Sequence, residues 1–392
     1  MTRIAIVSPN ILPGDAIGHD ALHMGRTLRA RGHEVELFST NWGKPLPRSP
    51  NDQLVHEYLD DDPAALLILH HAIGWKHALS LIGGVKCRRV VKYHNVTPAN
   101  FYERLDQNYA DLCRLGRSQM RELIAANCGL YVADSTFNRN DLIDMGADPE
   151  RCLVVPPFND IENLRQIEAD PEVLRDYGDG RTNLLFVGRR APNKGHRFLI
   201  DAFAAYHTHY DSNSRLVLLG KGEPEPADYT AALRARVRQL GLQGCVIFLD
   251  GATASELRGH YETASAFVLA SEHEGFCVPA VEAMALGVPV VAYGSTAVPA
   301  TLGDAGVVWP EPDPFLLAQS VAEVVRDGVT RRVLIERGRR RYREQFANRR
   351  IEEQFLRALQ PLLTVPARRR QDRVFFDVVR SPAGSPRSGI PA

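Results

Sequence analysis

Short apolar runs alternate along the chain with longer stretches in which apolar residues recur every three or four positions. The first run, Ile4 to Ser8, is followed by a helix-like stretch from Asp20 to Arg31, which stops at Gly32. Short continuous apolar runs are typical of parallel strands that are buried on both faces. The alternation therefore predicts doubly wound α/β sheets with right-handed crossovers.

The alternation of predicted strands and helices occurs in two parts of the chain, which are separated by an interruption. Pro156 and Pro157 open a polar stretch that reaches Gly180, and the apolar runs resume at Asn183. Because prolines and glycines interrupt regular structure, we place a linker there. The predicted strands are Ile4–Ser8, Val35–Phe38, Leu66–Leu69, Arg89–Tyr93, Gly129–Ala133 and Cys152–Val155 before the interruption, and Asn183–Val187, Arg215–Leu219, Val246–Leu249, Ala266–Ala270 and Val288–Tyr293 after it.

A chain of 392 residues is too long for one ordinary core, and two domains are the natural expectation. We predict a first domain over residues 1–165, a linker over 166–182 and a second domain over 183–343. A helix over 344–363 is expected to cross back to the first domain. Residues 364–392, rich in Pro, Ser and Arg, are expected to form a disordered tail.

Charge and cysteine content narrow the class of protein. Lys plus Arg equals Asp plus Glu, at 47 each, so global charge gives no argument for a nucleic-acid partner. The six cysteines lack the spacing of a metal site, and we expect reduced thiols in a cytoplasmic protein. The apolar runs are too short for a membrane span, although contact with a membrane surface stays open.

The segment from Ser271 to Val291, SEHEGFCVPAVEAMALGVPVV, carries the strongest chemical signal. It begins where a predicted strand ends, and a helix is expected to start near Pro279. Amides at a helix start attract anions, and open α/β sheets bind ligands at this edge. Glu274 lies in the loop, and Glu282 is expected on the first turn of the helix. A phosphate on the amides, with carboxylates on flanking hydroxyl groups, describes a bound nucleotide-sugar.

A second element, LLFVGRRAPNKGHRFLIDAF, places cations after another strand. The strand ends in Gly188, and Arg189 and Lys194 then precede a helix. Two positive charges in such a loop suit a diphosphate, whose negative charge grows when it leaves. Arg190 is the alternative to Arg189 for the first of these charges.

The first domain offers a glycine loop and three histidines. Gly14 and Gly18 bracket a loop after the first strand, without the GxGxxG pattern of a dinucleotide site. In KYHNVTP, His94 comes just past the end of a strand, and His70 and His71 follow the apolar run LLIL. These histidines are expected at the edge of the sheet that faces the second domain.

The Glu274 to Glu282 segment resembles the donor-binding motif of retaining glycosyltransferase family four, which has the GT-B architecture of two Rossmann-like domains facing a central cleft. The resemblance covers roughly residues 1–360 and is strongest over 183–293. It implies a UDP- or GDP-sugar as co-substrate, a hydroxyl acceptor such as a glycan, a lipid-linked glycan or a small metabolite, and no cofactor. Asp60 to Asp62 lie in a polar loop without a flanking apolar strand, so no metal is expected.

Carried over to this sequence, the resemblance assigns three groups of residues. The reaction centre is expected to contain Glu274, His94, Arg189 and Lys194. Donor contacts are expected from Glu282, Gly275, Phe276, Cys277, Gly14, Gly220 and Gly251. Acceptor-side contacts are expected from Asp15, Gly18, His70 and His71.

Other functions stay open at this point. A nucleotide-sugar epimerase or a phosphorylase can share the same two-domain fold, and an inactive partner subunit could keep the binding site. An NAD-dependent oxidoreductase is disfavoured, because the chain lacks the glycine fingerprint.

Overall fold

A computed structural model describes residues 1–12, 14–43, 54–220 and 227–364 of the chain. The strands in these ranges form two six-stranded sheets. The first sheet contains β1 (Arg3–Ile11), β2 (Glu34–Trp42), β3 (Leu66–His71), β4 (Arg88–Tyr93), β5 (Leu130–Ala133) and β6 (Cys152–Val154). The second contains β7 (Thr182–Val187), β8 (Ser214–Leu219), β9 (Val246–Leu249), β10 (Ala266–Leu269), β11 (Val290–Tyr293) and β12 (Gly306–Trp309).

Both sheets are parallel throughout, with the orders β2-β1-β3-β4-β5-β6 and β12-β11-β10-β7-β8-β9. All residues of β3 and of β8 are buried, as expected for strands covered by helices on both faces. The predicted α/β fold class, with two tandem parallel-sheet domains, is confirmed.

Helices connect the strands and cover both faces of the sheets. They are α1 (Ala16–Ala30), α2 (Val55–Leu59), α3 (Ala78–Gly84), α4 (Gln107–Ala125), α5 (Thr136–Asp144), α6 (Ile161–Gln166), α7 (Pro171–Tyr177), α8 (His196–His209), α9 (Ala227–Gln239), α10 (Ala254–Thr263), α11 (Val278–Leu286), α12 (Val298–Leu302), α13 (Pro314–Arg326), α14 (Gly328–Arg341) and α15 (Asn348–Thr364). Short 3₁₀ turns cover Ala99–Phe101, Pro149–Arg151 and Pro192–Lys194, and one π-helical turn covers Tyr342–Phe346.

Polar side chains fix where several of these helices begin. The carboxylates of Asp15 and Asp106 accept backbone N–H bonds at the starts of α1 and α4, and the hydroxyl of Ser135 does the same for α5. Thr253 and Glu256 form a reciprocal capping box at the start of α10. Such caps satisfy N–H groups that have no partner within the helix, and each contributes about 1 kcal/mol.

The stretch predicted as a linker contains regular structure. Pro171 opens α7 behind the capping carboxylate of Asp170, and this helix packs on α10 of the second domain. The contact is close, since a Cβ added at Gly259 would lie 2.9 Å from Val173 Cγ1. β12 was also missed: its run GVVW is apolar but only four residues long, and it lies half-buried at the edge of the sheet.

The last described helix returns to the first domain. Ile351, Phe355 and Leu359 of α15 lie in one core with Ile4, and the ring of Phe355 contacts that of Phe158 at a centroid distance of 5.8 Å. Apart from Thr364, the predicted disordered tail lies outside the described residues. Among the helices that the structure describes, none combines the length and apolar character needed to cross a bilayer.

Candidate functional site

A lysine and a glutamate from different loops form an ion pair at the carboxyl edge of the second sheet. Lys194 Nζ lies 2.8 and 2.9 Å from the two carboxylate oxygens of Glu274, and both side chains are largely buried. Asn193 joins the two loops, because its carbonyl accepts from Glu272 N at 2.8 Å and its amide donates to the His273 carbonyl at 3.1 Å. The site therefore has a positive and a negative group fixed against each other.

The backbone around this pair is tightly packed. Gly195 has φ +67°, and a Cβ there would lie 2.0 Å from the Ala270 carbonyl oxygen, so only glycine fits after Lys194. Glu274 N donates to Thr296 Oγ1 at 2.8 Å, and the same hydroxyl donates to the Glu274 carbonyl at 2.9 Å. These contacts hold the Glu274 backbone from both sides.

The two neighbouring arginines have different environments. Arg190 is buried, donates to the carbonyls of Gly220 and Leu249, and pairs with Asp250, so it ties together the loops that follow β7, β8 and β9. Arg189 is exposed at the same strand end, and its positive charge acts on the buried Tyr102 of the first domain. This arrangement favours Arg189 over Arg190 as the group that meets a ligand.

Glu282 is the fifth residue of α11 and begins its second turn, because the helix starts at Val278, one residue before the expected start at Pro279. Its Oε2 accepts from the hydroxyl of buried Tyr261 at 2.7 Å. Burial raises the pKa of Glu282, and Asp160 adds to this rise, whereas the Tyr261 hydroxyl opposes it. The carboxylate is thus held in one orientation by α10.

The start of α11 lies against the first domain. Cys277 caps the helix with φ 77°, and burial raises the pKa of its thiol, so the sulfur acts as a packed apolar group. The carbonyl of Phe276 accepts from Thr301 Oγ1 at 2.7 Å. Gly275 packs on the end of β4, where an added Cβ would lie 2.5 Å from the His94 carbonyl oxygen.

Side-chain contacts also cross between the domains at this point. His273 Nε2 lies 2.9 Å from Asn95 Oδ1, and the Tyr102 hydroxyl donates to Asn193 Oδ1 at 3.2 Å. Burial lowers the pKa of His273 to about 4, so its ring is neutral at pH 7. The Lys194–Glu274 pair and His94 are therefore brought to the same interface.

His94 belongs to a buried network of charged groups in the first domain. Its Nδ1 lies 2.8 Å from Asp134 Oδ2, and its Nε2 lies 2.8 Å from His70 Nδ1. Lys92 Nζ lies 2.7 Å from Asp134 Oδ1 and 3.8 Å from Asp20 Oδ2. Both ring nitrogens of His94 are thus engaged inside the first domain, which fixes the orientation of the ring.

Strand register explains why these groups meet. β3 and β4 place His70 opposite Lys92, and β4 and β5 place Lys92 opposite Val132. Because side chains two residues apart share a face, His94 and Asp134 continue the same row. His71 points to the opposite face, where its Nε2 lies 2.8 Å from the Gly116 carbonyl of α4.

The protonation states follow from burial and neighbouring charge. Burial raises the pKa of Asp20 to about 6, against the lowering effects of Lys92 and His94. Burial opposes ionisation of Asp134 too, but His94 and Lys92 bring its pKa below the ordinary value. Burial, His94 and Lys92 hold the pKa of His70 well below its ordinary value, so His70 is neutral.

Asp20, His70 and His94 each place one potential metal-ligand atom within 4.8 Å of the others. The ammonium group of Lys92 already provides a positive charge beside Asp20, and the two histidines share a hydrogen bond. A divalent cation would have to lie against that ammonium group and break that bond. This donor set therefore suits a hydrogen-bonded network better than a metal centre.

Most of the remaining predicted residues lie in loops after strands, but Gly18 lies in the first turn of α1, so the predicted loop from Gly14 to Gly18 ends earlier than expected. Asp15 caps α1 by accepting from Gly18 N at 3.0 Å, and a Cβ at Gly18 would lie 3.1 Å from Leu12 N. Gly14 is exposed, with φ +74°. Gly220 packs on the Gly188 carbonyl so closely that no side chain fits, and Gly251 has φ +125° after β9.

A comparison with protein families gives a match within the second domain. Residues 181–327 match the family described as glycosyl transferases group 1. This part of the chain is similar to a group 1 glycosyl transferase domain. The match contains Arg189, Lys194, Glu274 and Glu282.

Two curated relatives are similar over the part of the chain that aligns. Mannosylfructose-phosphate synthase of Agrobacterium fabrum is 32% identical over 181 residues, which cover 45% of this chain and 40% of that protein. D-inositol 3-phosphate glycosyltransferase of Geodermatophilus obscurus is 30% identical over 233 residues, which cover 58% and 51%. The chain thus spans about half the length of the curated relatives it matches.

A solved structure extends the likeness to both domains. The Anabaena protein Alr3699/HepE, crystallised with UDP and glucose, superposes with a TM-score of 0.72 at 18% identity. The superposition covers 92% of this chain and 100% of that one. The GT-B fold is confirmed, and so is the resemblance to a family-four-like glycosyltransferase.

Proposed function

We propose that the chain is a retaining glycosyltransferase that moves a hexose-type sugar from a UDP- or GDP-sugar to a hydroxyl acceptor. The observation that carries this proposal is the Lys194–Glu274 pair, held at the carboxyl edge of the second sheet beside the start of α11. An ammonium group, a carboxylate and helix-start amides in one place suit a sugar joined to a diphosphate.

In this proposal the second domain binds the donor. Lys194 and Arg189 contact the diphosphate, together with the backbone amides from Gly275 to Cys277. Glu274 binds hydroxyl groups of the donor sugar, and the carboxylate of Glu282, oriented by Tyr261, binds the ribose. The loops that contain Gly220 and Gly251 enclose the base.

The first domain provides the opposite wall. The ring of His94 is held by Asp134 and His70, and its backbone carbonyl lies close to Gly275, so this residue is fixed beside the Glu274 loop. The domain contact excludes water from the reacting centre, which limits hydrolysis of the donor. Gly14 and Asp15, together with Gly18 in the first turn of α1, close the far end of the cleft.

Transfer with retention follows from attack on the face that the diphosphate leaves. The bond between the anomeric carbon and the phosphate oxygen breaks, the acceptor oxygen bonds to the same face of that carbon, and the leaving diphosphate takes the hydroxyl proton. Lys194 and Arg189 stabilise the negative charge that grows on the diphosphate. Lys194 is already held in place by Glu274, so it provides this stabilisation with little reorganisation during the step.

The names of similar proteins agree with this assignment. The Anabaena structure holds UDP and glucose, and the two curated relatives are named for sugar transfer or sugar-phosphate synthesis. We therefore propose UDP-glucose as the first donor to test and GDP-mannose as the second.

A transfer assay tests the proposal. Purified protein is incubated with each nucleotide-sugar and a panel of sugar, polyol and glycan acceptors, and nucleotide release and the anomeric configuration of the product are followed by NMR. We expect an acceptor-dependent release of UDP or GDP and an α-linked product from the α-linked donor. Lys194→Ala and Glu282→Ala should lower the rate by at least 100-fold.

The matched control is Arg238→Gln, which removes an exposed positive charge from α9 of the second domain. It should leave the rate within twofold of the unmodified protein. Conversion of one nucleotide-sugar into another without acceptor would instead identify an epimerase. Near-normal transfer in Lys194→Ala would exclude the proposed donor site.

A further inference from the structure

The carboxyl group of Asp20, on α1, is fully buried beside His94 in the first domain. Its Oδ1 accepts from Phe158 N at 2.8 Å. Its Oδ2 faces three nitrogen atoms, which are Lys92 Nζ at 3.8 Å, His94 Nε2 at 3.9 Å and His70 Nδ1 at 4.0 Å. One carboxylate of α1 therefore meets the charged and titrating groups of two neighbouring strands.

The charged groups of this buried network are unequal in number. Burial raises the pKa of Asp20 to about 6, which still leaves its carboxyl group ionised at pH 7. Burial acts in the same direction on Asp134, but His94 and Lys92 bring its pKa below the ordinary value, so it is ionised as well. Lys92, whose Nζ lies 2.7 Å from Asp134 Oδ1, provides one positive charge. With both histidines neutral, the network would therefore hold one negative charge without a counter-charge.

One additional proton makes the network neutral, and burial favours neutrality because an unpaired charge in a protein interior is costly. Burial, His94 and Lys92 hold the pKa of His70 well below its ordinary value, so His70 does not take this proton. The nearby His71 points to the opposite face of the sheet, and burial lowers its pKa to about 4. The ring of His94 is the site that remains in the network.

The hydrogen bonds of His94 suit a ring that is protonated on both nitrogens. Its Nδ1 lies 2.8 Å from Asp134 Oδ2, and its Nε2 lies 2.8 Å from His70 Nδ1. An imidazolium ring donates from both nitrogens, and a neutral imidazole keeps one nitrogen as an acceptor. His94 can thus donate to Asp134 and to His70 at the same time, with its positive charge next to two carboxylates.

We propose that Asp20 is a positioning residue, which keeps a second proton on His94, so that an imidazolium ring lies at the first-domain wall of the reaction centre. Because both N–H groups of this ring donate within the network, the ring passes no proton to a substrate. Its use in catalysis rests on the proposed function: the positive charge stabilises the negative charge that grows on the leaving diphosphate. The protonation of the ring can be measured without sugar transfer.

Nitrogen NMR of the full chain at pH 7, with ¹⁵N-labelled histidine and His94→Gln to assign the signals, tests the proposal. We expect both ring nitrogens of His94 to carry a proton in the unmodified protein and only one in Asp20→Asn. Asparagine keeps the shape of the side chain and an acceptor for Phe158 N, but it removes the negative charge. Asp144→Asn, which removes an exposed carboxylate from α5, should leave the His94 signals unchanged.

A double variant gives a result that a merely structural role would not produce. Asp20→Asn combined with Lys92→Met removes one negative and one positive charge, so the remaining carboxylate of Asp134 should restore the second proton to His94. A neutral His94 in the unmodified protein would overturn the proposal even if Asp20→Asn does not fold. Equal protonation in the unmodified protein and Asp20→Asn, or no restoration in the double variant, would overturn it too.

The transfer assay then tests the use of this charge. Asp20→Asn should lower kcat at pH 7 at least tenfold, the double variant should regain at least threefold of that loss, and Asp144→Asn should stay within twofold of the unmodified protein. An unchanged kcat in Asp20→Asn, together with loss of the proton, would overturn the catalytic use of the charge. Absence of transfer by the unmodified protein would count against the proposed function instead, so the two failures are distinguishable.

Discussion

Replacement of Gly275 by alanine probes the contact between the two halves of the proposed site. The new Cβ would lie 2.5 Å from the His94 carbonyl oxygen and 3.1 Å from Asn95 Cβ. Non-bonded heavy atoms settle at about 3.5–4.0 Å, so the two loops must separate by roughly 1 Å. Overpacking of this kind costs about 1–3 kcal/mol, and a misplacement of about 1 Å at a reacting centre can lower a rate by about 100-fold.

We therefore expect Gly275→Ala to reduce kcat/KM for transfer by about 10- to 100-fold, measured with saturating acceptor and varied nucleotide-sugar. Gly83→Ala is the matched control, since a Cβ at Gly83 of α3 meets no atom within 4 Å. That variant should retain full activity and the same melting temperature. If Gly275→Ala transfers sugar within twofold of the unmodified protein, the contact between Gly275 and His94 does not position the reaction centre.

Three further predictions concern charged and titrating groups. Lys194→Met leaves Glu274 buried without a counter-charge, so it should lower the free energy of unfolding, measured in urea, by about 3 kcal/mol. Adding Glu274→Gln should restore more than half of this loss. No restoration would refute the energetic coupling between Lys194 and Glu274. Burial lowers the pKa of His71 to about 4, below that of the unfolded chain, so the free energy of unfolding should fall by up to about 3 kcal/mol as the pH drops from 6.5 to 4. His71→Gln should remove that part of the slope, and an unchanged slope would assign it to other groups. Asp134→Asn should lower kcat at least tenfold through His94 while UDP affinity stays within twofold, and equal losses in both would indicate a general structural role.

Most of the sheet could be predicted from sequence, because parallel strands buried on both faces appear as continuous apolar runs. Segments that become buried only through contact with another element were harder to predict. The helix that starts at Pro171 lies in a polar stretch, and its packing on α10 depends on Val173 meeting Gly259. Nothing in the local pattern of that segment distinguishes it from a linker.

The meeting of Lys194 and Glu274 was also accessible to sequence reasoning, because the two residues lie in two short motifs at strand ends. The buried network of charged groups in the first domain could not be predicted in this way. A lysine in a strand or an aspartate in a helix ordinarily indicates a solvated surface, and only strand register and the packing of α1 bring Lys92, Asp134 and Asp20 together. Asp15 was expected to contact the acceptor. In the structure it caps α1, because its carboxylate accepts from the backbone N–H of Gly18, three residues further on. That spacing at a helix start is typical of a capping residue.

The central claim is that Lys194 and its neighbours bind a nucleoside diphosphate, and direct titration of UDP and of GDP tests it. We predict that one of the two nucleotides binds at a single site, that Lys194→Met weakens this binding at least tenfold, and that Arg238→Gln leaves it unchanged. Absence of binding by both nucleotides, or equal affinity in Lys194→Met and the unmodified protein, would contradict the claim.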